Sequence, residues 1–329
     1  MERNILVDKL KGYACFLVLF GHVIMGIRLA GIPIPAFFEG LEKFIWSFHV
    51  ALFLFLSGVV YKETGGWKSK RTRLGFVLHK LCSLGIPYVV FSAVYIVINS
   101  MVGQTNNQSS LRDILFIWKT PVAQYWYLHA LFFLFLIWTI LSKWLPGWII
   151  TLCVVSVGYI APLLDIDFGS FSVVFSSALV FGLGTILNFS DLTKPGIKFN
   201  GVVVLAHIVI GVCLVVANWI EAPFAMEFMM IFGVYASVAL ISMIGNWKPV
   251  AAFLTFMNRY SFQTYLLHTI FTAGIRIVML RLGITWWWLH VLVGTACGIG
   301  FSVLASEIAK RIKFLNFFFF PTKFLTGKK

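Results

Sequence analysis

The chain has 329 residues, 60% of them apolar and 12% charged, with a mean hydropathy of +0.92. That balance excludes a soluble domain and a disordered chain, and it sets the fold class as an all-α, polytopic integral membrane protein. A net charge of +14 would suggest nucleic acid in a soluble chain; here membrane topology accounts for it, and no nucleic-acid partner is expected.

Apolar runs of spanning length recur about ten times, near residues 5–29, 44–61, 76–101, 124–142, 147–164, 170–188, 199–219, 224–245, 255–281 and 284–308. The first is too long for a signal peptide and lacks a small-residue cleavage site, so it reads as an uncleaved span. It carries Asp8, Lys11 and His22. Ionisable groups at membrane depth are costly and mark function by default. Lys11 and His22 lie eleven residues apart, which returns to nearly the same helix face after three turns, with a rise of about 16 Å. Asp8 sits one turn from Lys11 on a neighbouring strip.

The second span places His49 in its outer half and ends with Ser57-Gly58. A basic loop follows, from Lys62 to Lys80, with Arg71 and Arg73 inside it. The longest outer loop, 102–124, is polar. The fourth span opens with Gln124, Tyr125, Trp126, Tyr127, Leu128 and His129, which brings a third histidine to the depth of His22 and His49. The ninth begins at Asn258-Arg259-Tyr260-Ser261 and carries Tyr265 and His268 on one face. Phe317–Phe320, Pro321 and the basic residues around them read as an interfacial anchor, giving a membrane domain at 1–313 and a basic aromatic cytoplasmic tail at 314–329.

With the N-terminus inside, only six of the 26 Lys and Arg residues fall outside: Arg28, Lys43, Arg112, Lys119, Arg276 and Arg281. The positive-inside rule therefore places both termini in the cytoplasm of a multi-pass cell-membrane protein. Cys15, Cys82, Cys153, Cys213 and Cys297 all lie in apolar stretches and read as buried thiols, with no disulfide framework. The histidines have no local metal-ligand spacing, and no metal is expected. Structural readings stand beside the functional ones. His22 also fits a histidine bonded to a backbone carbonyl in a packed bundle, His268 a group holding spans together, His129 an interfacial polar group, His207 a packing partner, Ser57-Gly58 a close helix contact, and Asp8–Lys11 an interfacial ion pair.

The ordered set Asp8-x2-Lys11-x10-His22, Phe48-His49-x3-Phe53-x-Phe55-x-Ser57-Gly58, Lys80-x6-Pro87-Tyr88, Trp126-x-Leu128 and Tyr260-Ser261-x3-Tyr265-x2-His268 resembles the integral-membrane acyltransferase family 3. Members are polytopic O-acyltransferases of cell-surface carbohydrates. The chain departs from the family pattern in having Lys11 where arginine is usual, which keeps the charge and loses the bidentate fork. Asn258 replaces a glycine, and asparagine tolerates left-handed backbone. The family's close arginine pair is not found in its usual form; Arg71, Arg73 or Lys80 can substitute.

The resemblance implies transfer of an acyl group, by default acetyl, from cytoplasmic acetyl-CoA to a hydroxyl of a cell-surface glycan or its lipid-linked precursor. His22 and His49 are then the catalytic candidates, with Asp8 and Lys11. Lys11, Arg71, Arg73, Lys80 and Ser57 are candidates for the CoA end, and Trp126, His129, Tyr265 and His268 for the acceptor. His22 serves either as general base or as acyl carrier, and the sequence leaves both open. A transporter or flippase for a lipid-linked saccharide is the alternative function; the chain shows no repeat symmetry to favour it. Beyond acyl-CoA, glycan and membrane lipid, a second copy of the chain is an open partner.

Overall fold

The computed structural model describes residues 4–68, 72–102 and 110–325. Arg71, one candidate for the CoA end, lies outside the described residues. Helices α1 (Ile5–Leu29), α2 (Ala36–Trp46), α3 (His49–Glu63), α4 (Arg73–Lys80), α5 (Ile86–Val102), α6 (Trp126–Leu141), α7 (Gly147–Leu163) and α8 (Ser172–Ile186) form the first half. A short α9 (Phe189–Leu192) precedes α10 (Ile197–Val216), α11 (Pro223–Ile244), α12 (Lys248–Arg259), α13 (Ser261–Arg281), α14 (Trp287–Arg311), α15 (Lys313–Phe319) and α16 (Pro321–Leu325). Among the described residues there is no strand, so the expected all-α architecture holds. In lipid this follows from the backbone, whose amides must be satisfied within each segment.

Eight segments among the described residues are long and apolar enough to cross a membrane. The other two expected spans are α7, apolar but only 17 residues long, and α13, of 21 residues, which is made less apolar by Gln263, Thr264, His268, Thr272 and Arg276. The expected single span at 255–281 is in fact broken at Tyr260, where the backbone leaves helical geometry (φ −110°, ψ 10°) between α12 and α13. Asn258 is helical, inside α12, so the left-handed freedom expected of it is not used. The third span also deviates: a π-helical turn over Leu81–Gly85 absorbs Pro87, whose ring and missing N–H an uninterrupted α-helix would not accommodate.

The chain divides into two compact units. The first comprises residues 1–56 and 188–306, the second residues 57–187 and 307–329. In the first, α1 is the central element and packs on α2, α11, α12 and α13. Asn4 caps it, its side chain accepting from Val7 N–H at 3.3 Å, and Asp8 in the first turn suits the positive end of the helix dipole. Gly12 allows α1 to meet α12 closely, because a Cβ there would collide with the Leu254 carbonyl. Leu17, Ile45 and Phe48 form one apolar cluster beneath the helix; Leu19, Val23, Ile27, Ile32 and Val291 form another.

In the second unit α8 packs on α6 and α7, and α4 on α6. Gly58 seats α3 against the Phe181 carbonyl of α8, which bears out the close-packing reading of Ser57-Gly58. The tail aromatics join this unit through Phe319, which is buried and lies 4.9 Å from the Phe91 ring. The five cysteines are all free. Cys15 is buried as expected, but Cys153 and Cys213 are exposed. The correction has a simple cause: a membrane helix is as apolar on its outward face as on its packed face, so an apolar surrounding sequence does not imply burial.

Candidate active site

Three histidines of the first unit share one device. His22 Nδ1 lies 2.8 Å from the Val18 carbonyl, His49 Nδ1 2.8 Å from the Ile45 carbonyl, and His268 Nδ1 2.8 Å from the Thr264 carbonyl. His268 Nδ1 also lies 3.0 Å from the carbonyl of Tyr265. A carbonyl only accepts, so each Nδ1 carries a proton and donates it. In the neutral ring the basic lone pair then sits on Nε2. A packed helix thus fixes both ring orientation and tautomer from its own preceding turn.

His49 also explains the break in the second span. Helix α2 stops at Trp46 and α3 starts at His49. The carbonyls at the end of α2 would otherwise lose partners at membrane depth. The Ser47 hydroxyl donates to Phe44 O at 2.7 Å, and His49 covers Ile45 O.

The rings meet in one cluster. His22 and His268 are edge-on at 4.9 Å between centroids. The Trp46 indole lies 5.2 Å from His22 and 5.1 Å from His49. His49 and His268 are almost fully buried, at 1% and 0% exposure, while His22 is half-buried. His49 Nε2, His268 Nε2 and Trp46 Nε1 are buried without a hydrogen-bond partner among the described residues. Two acceptors and one donor around His22 thus have no partner within the protein among the described residues, and polar groups of a ligand would satisfy them; such a group left unpaired costs about 1–3 kcal/mol.

A family model described as an acyltransferase domain matches residues 4–307. The chain belongs to that family. Neither the curated proteins nor the solved structures yield a match to it. With its many apolar helices, the protein is a multi-pass membrane acyltransferase.

The remaining candidates of this acyltransferase are spread along the chain. Asp8 and Lys11 are half-buried in the first turns of α1, about 21 Å and 16 Å of helix from His22. Tyr265 is half-buried and holds His268 through its carbonyl. The other candidates belong to the second unit. There Ser57 Oγ meets the Tyr127 hydroxyl at 3.3 Å, Arg73 stacks over the Trp67 ring at 3.6 Å, and Lys80 lies 3.8 Å from the Phe135 centroid. Trp126 opens α6 beside Tyr127. His129 is buried; its Nε2–H donates to Trp118 O at 3.2 Å and its ring packs against Tyr88, Phe133 and Phe171. Both ring position and bond give it a structural task. His207 likewise packs among Phe44, Phe48 and Phe232. No group of three or more His, Cys, Asp or Glu among the described residues has the geometry of a metal site.

Sequence reasoning missed three features of the first unit. Trp46 lies in the second span, where nothing in the sequence sets it apart from the other aromatics. Arg28 clamps Glu42 with Nε and Nη2 each 2.8 Å from a carboxylate oxygen, and Glu42 is only 5% exposed. Arg276 of α13 lies against Gly26 of α1, where a Cβ would meet its guanidinium. A detectable signal existed for the last two, since charges within apolar spans need a partner.

Proposed function

We propose that this acyltransferase moves an acyl group, acetyl in the first instance, from cytoplasmic acyl-CoA to a hydroxyl of a cell-surface polysaccharide or its lipid-linked precursor. The observation that carries the reading is the His22 imidazole, held through Nδ1 by its own helix so that Nε2 is the basic nitrogen. Nε2 takes the proton of the acceptor hydroxyl as the oxygen attacks the thioester carbonyl carbon. The C–S bond then breaks, and the CoA sulfur leaves with the proton returned by the imidazolium. The Trp46 N–H is a donor suited to charge developing on the carbonyl oxygen. His268 and His49 position the His22 ring and Trp46. A route through an acyl-His22 intermediate uses the same lone pair.

The donor-end candidates come from the resemblance: Lys11 with Asp8 beside it, and Arg71, Arg73 and Lys80 with Ser57. CoA is polyanionic, and these residues sit in segments that the positive-inside rule places in the cytoplasm. Trp126, His129, Tyr265 and His268 are the acceptor candidates by resemblance. The reading places the protein in the cell membrane with both termini cytoplasmic.

The test uses purified protein, acetyl-CoA and extracted cell-surface glycans, wild type beside His22→Ala. CoA release that needs glycan and disappears in the variant supports the reading. Undiminished release in the variant removes His22 from the reaction, and wild type that neither binds nor consumes acetyl-CoA ends the acyl-transfer reading.

A further inference from the structure

The first unit contains a cavity of about 620 Å³. Its lining includes Arg28, Glu39, Glu42, Lys43, Trp46 and Glu221. Trp46 is shared: the same indole lines the cavity and touches the rings of His22 and His49. It therefore stands where the chamber and the imidazole cluster meet. A chamber that size holds one or two sugar rings, and it adjoins the proposed base without belonging to the helix end where Lys11 lies.

Charge gives the chamber a preference. Arg28 is neutralised by its two bonds to Glu42. Lys43 lies 3.6 Å from Glu221, and its Nζ donates to Asn218 Oδ1 at 3.4 Å. Glu39 is exposed at the start of α2, and its carboxylate leaves the lining with one negative charge in excess. Carboxylates accept hydrogen bonds from sugar hydroxyls or ammonium groups and repel acidic sugars. The indole offers a flat apolar face for a ring.

We propose that this chamber is the acceptor subsite and that it selects neutral or amino-bearing sugars over acidic ones. Trp46 is the platform that delivers a hydroxyl to His22, and Glu39 sets the charge preference. The proposal deepens the acyl-transfer reading and rests on it for the identity of the reaction, though its binding test does not.

The test is equilibrium binding of three radiolabelled oligosaccharides to the full chain in lipid nanodiscs, without acetyl-CoA. The probes are a pentamer of N-acetylglucosamine, its fully de-N-acetylated form and a pentamer of galacturonate. Wild type binds the first two at least about tenfold more tightly than the third, the factor that ~1.4 kcal/mol of charge repulsion gives. Glu39→Lys, an exposed change that spares the core, reverses that order. Trp46→Ala weakens the two favoured probes by about tenfold, as loss of a stacking platform does. A wild type that prefers galacturonate or binds none of the probes overturns the proposal, as does an order untouched by Glu39→Lys with affinity untouched by Trp46→Ala. Saccharide binding by a chain that neither binds nor consumes acetyl-CoA would instead end the acyl-transfer reading and leave the saccharide site standing. Glycan-dependent release with unaltered saccharide binding in both variants would do the reverse.

Discussion

His22 combines a tautomer fixed by its own helix with neighbours whose own polar atoms have no partner among the described residues. General-base assistance contributes roughly 10²–10⁴ in rate. Turnover with acetyl-CoA and glycan is therefore expected to fall by about that factor in His22→Ala, with thermal unfolding in detergent unchanged. A parallel loss of folding would make His22 structural. Arg28 and Glu42 make the opposite kind of claim. Removing one partner of a buried pair strands the other, at a cost of about 3–5 kcal/mol when both are buried. The Arg28 side chain is 43% exposed, which reduces the expected loss for Arg28→Met to about 2 kcal/mol. The double change Arg28→Met with Glu42→Leu recovers most of that stability, because no charge is left behind. A double variant as unstable as the sum of the singles would mean the pair does not act as a pair.

Helix α1 holds the cluster only because Gly12 lets it lie against the Leu254 carbonyl of α12. Gly12→Leu is expected to force these backbones apart and lower stability by about 1–3 kcal/mol, the usual range for overpacking, as a reduced unfolding temperature in detergent. Turnover falls further than stability, since α13 and its His268 pack on the same helix. Unchanged values would show that α12 is free to retreat. Helix existence was legible from hydropathy alone: α1 occupies residues 5–29 as expected, and most other boundaries shift by a few residues. The breaks were not legible. The stop between Trp46 and His49, the π turn before Pro87 and the bend at Tyr260 change backbone geometry without changing the apolar pattern. His49 and His268 stand out as histidines within apolar spans, but their convergence on His22 depends on helix rotation that spacing on separate spans does not fix. His129, at an equivalent depth by sequence, instead spends its Nε2–H on the Trp118 carbonyl.

For the molecule as a whole, the decisive physical fact is how much large apolar surface faces outward: Val157, Leu163, Val202, Leu205, Val209 and Val216, among others, are exposed. In water so much exposed apolar surface would drive aggregation; in a bilayer it is the solvent-matched face. Cys153 of α7 and Cys213 of α10 lie on these faces, and that makes the orientation testable without altering either helix. In native membranes a charged maleimide cannot partition into hydrocarbon, so it does not reach a thiol there. Both cysteines are therefore expected to stay unmodified while a cysteine introduced at exposed Ser190, in the polar turn before α10, reacts fully. Peptide mass analysis separates the sites. Modification of Cys153 or Cys213 at the rate seen at position 190 would mean that water, not lipid, meets that helix face, and the assignment of α7 or α10 as a lipid-facing span would fall with it.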